Sequence, residues 1–220
     1  SLIAVQGPSS KAVVEAVFKT KIDIEYYHFA YLEFAGVKVL VSRTGYTGEL
    51  GYELYITGDE AFVCKLWDAL MKEGSEYLVK PCGLGSRDSL RLEMGFCLYG
   101  NDIDQTTNPL EAGLGWITKL KKDSFIGKEA ILKIKEAGVT RKLTPLITLE
   151  KSFPRPGYEV VCGDKTVGKL TSGTVSPILE KGICLAYIDS ECLKHNCKLE
   201  MIIRGTKIPM QVVKLPFLQK

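Results

Sequence analysis

The segment Leu143-Thr-Pro-Leu-Ile-Thr-Leu-Glu150 is the first of six short apolar runs separated by turns. The other five follow at similar intervals: Gly157 to Cys162, Val167 to Thr171, Ile183 to Ile188, Lys198 to Ile203 and Ile208 to Val213. Six short strands at this spacing are typical of a small barrel or a sandwich. We therefore predict a C-terminal strand domain, residues 139–220, that begins between Gly138 and Leu143.

The residues before this domain mix strands and helices. The periodicity predicts strands at 2–6, 31–34, 37–42 and 51–56, and helices that start at Ser9 or Ser10 and behind the capping-box sequence Thr57-Gly-Asp-Glu60. Residues 1–80 are thus an α+β portion, and residues 81–138 are a linking segment of loops and helices, with helices predicted at 86–94 and 128–136. The fold class is α+β.

Composition excludes several classes of protein. The 220 residues are 45% hydrophobic and 25% charged with a net charge of +3, which fits a globular protein and indicates neither a nucleic-acid nor a membrane partner. No apolar run approaches the ~18 residues of a membrane-spanning helix, and the N-terminus does not resemble a signal peptide. Because the chain opens on a strand without an initiating Met, we expect an internal piece of a longer protein.

Cysteine and histidine usage does not indicate a metal centre or a hydrolytic triad. The chain has seven cysteines and two histidines, with no C-x-x-C pair and no G-x-S-x-G elbow. The nearest approach to a ligand cluster is Cys192, His195 and Cys197, which we interpret as coincidental in a strand-rich tail. We expect reduced thiols and no bound metal.

Two segments are candidates for a binding site. The first, Ser42-Arg-Thr-Gly-Tyr-Thr-Gly-Glu-Leu-Gly-Tyr-Glu53, places glycines and tyrosines in a tight loop between strands, where backbone and flat rings can approach a ligand. An ordinary hairpin loop is the alternative. The second, Gly83 to Glu93, carries Arg87 and Arg91 four residues apart, so that they share one helical face. A solvated face with an ion pair to Asp88 is the alternative there.

The two segments offer complementary chemistry. The Glu49 carboxylate can accept two adjacent N–H groups, and the planar Arg87 guanidinium can address a carbonyl and ring nitrogens. A pterin ring presents both sets of groups, so the pair is compatible with a pterin ligand.

The order of the motifs resembles the glycine cleavage T-protein family of aminomethyltransferases. Seven motifs carry the resemblance across the whole chain: Arg43 to Glu49, Lys80 to Glu93, Leu98 to Asp104, Pro109 to Trp116, Phe125 to Lys128, Thr171 to Pro177 and Val213 to Phe217. The resemblance implies a folate-binding α/β region in which residues 81–138 line the folate cavity, followed by a small antiparallel β-barrel.

The resemblance also implies an activity, partners and site residues. The activity is transfer of a one-carbon unit from the lipoyl arm of the H-protein to tetrahydrofolate with release of ammonia, alongside the P- and L-proteins and without a metal. The implied folate-binding residues are Glu49 and Arg87, with Tyr46, Arg91 and Trp116 as further lining residues. The implied compartment is the bacterial cytoplasm or the mitochondrial matrix.

The chain departs from the family at both ends. The family's catalytic aspartate belongs to a segment that would precede Ser1, so the catalytic residue is unknown and we expect weak folate binding with little activity from these residues alone. The family arginine after the terminal Pro-Phe pair is replaced by Leu218-Gln219-Lys220. Three alternatives are a non-catalytic folate-binding or regulatory module, the folate domain of a flavoenzyme, and an incomplete product without independent function.

Overall fold

The structure, a computed structural model, describes residues 1–219 and divides the chain into two compact units. The first unit runs from Ser1 to Leu90 and the second begins at Arg91. The domain boundaries expected from the sequence, after residues 80 and 138, remain predictions. Lys220, the last residue of the predicted C-terminal domain, lies outside the described residues.

A four-stranded antiparallel sheet organises the first unit. Its strands are β1 (Leu2–Gln6), β2 (Phe29–Phe34), β3 (Val37–Ser42) and β4 (Gly51–Tyr55), in the order β1-β4-β3-β2. The predicted hairpin is present, although β2 begins two residues earlier than the pattern indicates. Ala35 and Gly36 both adopt positive φ between β2 and β3, the geometry that joins hairpin strands through two residues.

Two helices, α1 (Ser10–Phe18) and α2 (Glu60–Glu73), complete the core of this unit. The cap of α2 differs from the predicted one, because the Asp59 carboxylate accepts the Phe62 backbone N–H at 2.8 Å and the helix starts at Glu60. The buried stripe of α2 is also narrower than predicted, since Leu66 and Leu70 are buried while Trp67 is 42% exposed.

Helices α3 (Leu84–Glu93) and α4 (Lys128–Ala137) follow, and turns fill most of the chain between them. Helix α3 begins two residues before its predicted start, whereas α4 lies within one residue of its predicted bounds and has no buried residue. None of the helices in the described part of the chain has the length and apolar character needed to cross a bilayer.

The C-terminal strands close into a six-stranded antiparallel barrel, which confirms a barrel rather than a sandwich. In the order β10-β5-β8-β7-β6-β9, the strands are β5 (Arg141–Thr148), β6 (Glu159–Cys162), β7 (Lys165–Val175), β8 (Gly182–Asp189), β9 (Leu199–Ile203) and β10 (Thr206–Val212). A short helix that the sequence analysis missed, α5 (Ser190–Lys194), connects β8 to β9. The core inside the barrel includes Leu146, Ile188 and Met201, all fully buried.

A buried ion pair links the last turn of α3 to the barrel. The Arg91 guanidinium, 1% exposed, donates to the Asp102 carboxylate at 2.7 Å and to the Ser172 hydroxyl of β7 at 2.8 Å. Asp102 also accepts the hydroxyl of Thr171. The Tyr187 hydroxyl donates to the Asp102 backbone carbonyl at 2.9 Å, and burial raises the pKa of Tyr187 to about 12, so this hydroxyl keeps its proton at neutral pH.

Replacement of the buried carboxylate should destabilise the second unit strongly. We expect Asp102→Asn to lower the free energy of unfolding by about 3–5 kcal/mol, because it leaves the Arg91 guanidinium buried without its counter-charge. Urea denaturation followed by circular dichroism measures this loss. The matched control is Glu191→Gln, whose exposed partner Lys194 lies at 2.6 Å and whose urea midpoint should hardly move. Equal urea midpoints for the two variants would show that the buried pair stabilises the chain no more than the exposed pair does.

A second ion pair fastens the turn-rich segment to the start of β5. The Glu111 carboxylate accepts from the Arg141 guanidinium at 3.0 Å and from the Asn108 backbone N–H at 3.0 Å. Burial raises the pKa of Glu111, but these two donors outweigh it and hold the pKa below its ordinary value of 4.5. Arg141 also lies over the Tyr187 ring at 4.5 Å.

The Glu111 pair should make stability depend on pH in the acid range. Because the pKa of Glu111 is lower in the folded chain, the pair stabilises above about pH 4.5 and loses its contribution as the pH falls further. Arg141→Gln should therefore be less stable than the parent at about pH 7, and the difference should shrink at about pH 3.5. Unfolding free energies from urea titrations at both pH values check this. Arg155→Gln, on an exposed arginine, is the control and should show no such convergence.

Candidate functional site

The first candidate segment is the loop between β3 and β4, residues 43–50. Its backbone turns at Gly48, which has φ of +72°, a conformation that favours glycine. At the start of the loop, the Thr44 hydroxyl donates to the Glu53 carboxylate, and the Arg43 guanidinium donates to the Ile24 carbonyl at 3.1 Å. The loop is therefore fixed at its base by side chains and is not held by strand pairing alone.

Gln6, at the end of β1, braces this loop from the neighbouring strand. Its side-chain amide donates to the carbonyls of Thr44 and Tyr52, both at 3.3 Å, and the Thr47 hydroxyl donates to its Oε1 at 3.3 Å. Sequence reasoning missed Gln6, because only the pairing of β1 with β4 places it opposite Gly51.

The glycines beside Gln6 leave room for the end of its side chain. A Cβ added to Gly45 or to Gly51 would lie 2.0 Å from the Gln6 Oε1 atom. A larger residue at either position would therefore displace the Gln6 side chain. Gly45 and Gly51 thus make room for the side chain that supports the loop.

The two candidate segments meet at Tyr46 and Arg87. The Arg87 guanidinium carbon lies 4.7 Å from the centre of the Tyr46 ring, a cation–π contact between the loop and the first turns of α3. Tyr46 is half-buried and Arg87 is exposed, so the guanidinium is held in place at the surface of the first unit. This contact gives the planar Arg87 group a defined orientation.

Glu49 lies three residues after Tyr46 on the same loop. Its side chain is exposed, and its backbone N–H donates to the Thr47 hydroxyl at 3.3 Å, which fixes the turn that carries it. The loop therefore presents a carboxylate and an aromatic ring that is stacked on a guanidinium. This set of groups can recognise a flat heterocycle through its N–H groups, its carbonyl and its face.

The other two predicted site residues belong to the second unit. Arg91 shares α3 with Arg87, but its guanidinium is buried against Asp102 and Ser172 rather than displayed beside Arg87 at the surface. Trp116 is 72% exposed within the turns of the segment between α3 and α4. Their assignment as folate contacts stays a prediction for both residues, and the contacts of Arg91 are those of a structural residue.

The seven cysteines have three kinds of surroundings, and the first two of them, Cys64 and Cys82, are exposed. Burial raises the pKa of Cys97 to about 11 and that of Cys184 to about 12, so these two thiols are protonated and unreactive at neutral pH. By contrast, the sulfurs of Cys162, Cys192 and Cys197 all lie within 4.8 Å of one another, a group that could hold a metal ion. In the sequence, Cys192 and Cys197 lie nearest to His195; the structure instead brings in Cys162, thirty residues before Cys192, and leaves His195 out of the group.

Two family models match the chain. The model of the GCVT N-terminal domain matches residues 1–122, and that of the glycine cleavage T-protein C-terminal barrel domain matches residues 141–219. The second match coincides with the barrel strands described above.

Known proteins similar to the chain point to the same family. The chain is 47% identical to an aminomethyltransferase of Halothermothrix orenii over 99% of its own length and 61% of that protein, and 47% identical to one of Bacteroides fragilis over 98% and 60%. It superposes on the glycine cleavage system aminomethyltransferase T of Bartonella henselae with a TM-score of 0.86, 29% identity, and coverage of 99% of this chain and 59% of that one. The chain therefore spans about three fifths of the length of these relatives. On these matches, the chain belongs to the glycine cleavage T-protein family, the aminomethyltransferases of the glycine cleavage system.

Proposed function

We propose that this chain carries pterin-recognition groups of an aminomethyltransferase whose acceptor is tetrahydrofolate. The observation that supports this most directly is the Tyr46–Arg87 stack at 4.7 Å, with Glu49 on the same loop. Membership of the T-protein family supports the reaction class. Because the chain spans about three fifths of its relatives, the reaction of the whole enzyme is part of the proposal.

The donor and acceptor set fits the pterin ring. The Glu49 carboxylate is an acceptor for the adjacent ring N–H and exocyclic amino group. The Arg87 guanidinium is a planar donor for the ring carbonyl, and its stacking on Tyr46 restricts the orientations it can take. The recognition groups are thus pre-organised, which reduces the side-chain entropy lost on binding.

The proposed reaction asks the protein mainly to bind and orient. When bound, tetrahydrofolate would supply the two nitrogens that bind the methylene carbon, while the bonds of this carbon to the lipoyl sulfur of the H-protein and to its amino nitrogen both break, so that a lipoyl thiol and ammonia are released. Glu49 and Arg87 would fix the ring so that these nitrogens face the incoming carbon. The catalytic residue is left unassigned.

The proposed partners and the proposed compartment follow from membership of the family. The partners are the lipoylated H-protein and the P- and L-proteins of the glycine cleavage system, and the compartment is the bacterial cytoplasm or the mitochondrial matrix. Arg91 and Trp116 are proposed as secondary contacts, with Trp116 the better candidate because its ring is exposed.

Removal of either recognition group should weaken folate binding. We expect Glu49→Gln and Arg87→Gln each to cost about 1–3 kcal/mol in the binding of tetrahydrofolate, since each leaves the opposite hydrogen-bonding group of the ligand without its charged partner. Anaerobic calorimetric titration of the 220-residue chain measures the affinity. Glu76→Gln and Arg155→Gln, on exposed residues that are not part of the loop, are the matched controls and should bind as the parent does.

The outcomes separate the proposal from its alternatives. Absence of binding, or equal affinities for all four variants, would overturn the assignment of Glu49 and Arg87. If the parent binds tetrahydrofolate, release of ammonia from aminomethyl-loaded H-protein would exclude the non-catalytic folate-binding module, whereas its absence agrees with the little activity expected from these residues alone.

A further inference from the structure

Three cysteine sulfurs come together at one place on the barrel unit. Cys162 ends β6, Cys192 lies in α5, and Cys197 lies between α5 and β9. Every pair of these sulfurs is within 4.8 Å. No other group of three or more His, Cys, Asp or Glu side chains with such spacing occurs among residues 1–219.

The fold explains why residues so far apart in sequence meet here. Strand β6 pairs with β9 so that Val161 lies opposite Glu200, which carries Cys162 to the chain just before β9. The Cys197 backbone N–H donates to the Cys192 carbonyl at 3.3 Å, which folds the end of α5 back on itself. Backbone pairing, and not the cysteines themselves, therefore sets the three positions.

We propose that Cys162, Cys192 and Cys197 form a three-sulfur binding site for a thiophilic d10 metal ion of the Zn(II) or Cu(I) type. Sulfurs bound to such an ion at about 2.3 Å are about 3.8–4.0 Å apart. The observed separations are therefore within small side-chain rotations of a coordinating set. Thiolate sulfur is the ligand that selects these ions over hard cations such as Mg(II).

The burial of the three cysteines suits such a site. Cys192 is buried while Cys162 and Cys197 are half-buried, so the sulfurs are shielded yet reachable from solvent. Lys165 interacts electrostatically with Cys197, and Lys207 holds the adjacent turn by donating to the Gly163 carbonyl at 2.7 Å. Both lysines also face carboxylates, since Lys165 lies 4.0 Å from Asp189 and Lys207 lies 3.2 Å from Asp164, so the bound ion itself would offset most of the charge of the three thiolates.

The proposal concerns the barrel unit alone and does not depend on the function proposed above. Cys64 and Cys82, which are exposed and belong to the first unit, have no such neighbours and serve as internal references. His195 lies outside the sulfur group and should not contribute a ligand.

The test is a metal titration of the fully reduced 220-residue chain under anaerobic conditions. Cd(II) is the probe, because its thiolate charge-transfer band reports sulfur ligation directly, and Zn(II) and Cu(I) are added in separate arms to identify the preferred ion. We expect one equivalent bound per chain. Alkylation mapped by mass spectrometry should show metal protection of Cys162 and Cys197 but not of Cys64 and Cys82.

Variants decide whether the three sulfurs are the ligands. Cys162→Ser and Cys197→Ser should each weaken Cd(II) binding by more than about 100-fold, since loss of a ligand exceeds the 10–100-fold effect of a residue that merely orients one. Cys64→Ser and His195→Ala should bind as the parent does. Circular dichroism confirms that each variant is folded. Unchanged affinity in both cysteine variants, loss of binding in Cys64→Ser, or no sulfur-bound metal in the folded parent would each overturn the proposal.

Discussion

The second compact unit depends on one buried charge pair, Arg91 with Asp102. A guanidinium and a carboxylate taken out of water are costly unless each finds partners, and here both do. Asp102 accepts from Arg91, from the Leu98 backbone N–H and from two hydroxyls of β7, Thr171 and Ser172. These hydrogen bonds therefore hold together the end of α3, the turn after it and strand β7. Loss of any one partner would leave a buried polar or charged group unsatisfied.

This pair also explains why two arginines on one helix differ in burial, with Arg91 buried and Arg87 exposed. Four residues apart, Arg87 and Arg91 are equivalent by helical spacing, and the pattern alone gives them one face and one role. Their contacts differ because of residues far away in the sequence: Arg91 donates hydrogen bonds to Asp102 and Ser172, whereas Arg87 lies over the ring of Tyr46. No local rule states which of two like residues will find a buried counter-charge 11 residues away and a buried hydroxyl 81 residues away.

Local patterns predicted the regular elements well and the irregular ones poorly. Strands β2 and β3 follow from apolar alternation because their more buried face repeats every second residue. Strand β8, which is buried along almost its whole length, follows instead from an unbroken apolar run between turns. Helix α5 was missed because five residues are too few to show a helical period, and β7 is longer than predicted because polar Ser172 and Thr174 sit inside it. Among the site residues, Tyr46 and Arg87 meet, whereas Gln6 and Cys162 emerged only from strand pairing.

The bracing of the recognition loop by Gln6 has a consequence for how this family can vary. Gln6 fills the space that side chains at positions 45 and 51 would need, so the three positions form one steric unit spread over two strands and a loop. A larger side chain at position 45 or 51 requires the end of the Gln6 side chain to move away from the loop or to be shortened. In an alignment of relatives, the end of the first strand should therefore covary with the two glycines, although it carries none of the proposed ligand-binding groups. Designers who wish to reshape the loop would have to start from the strand beside it.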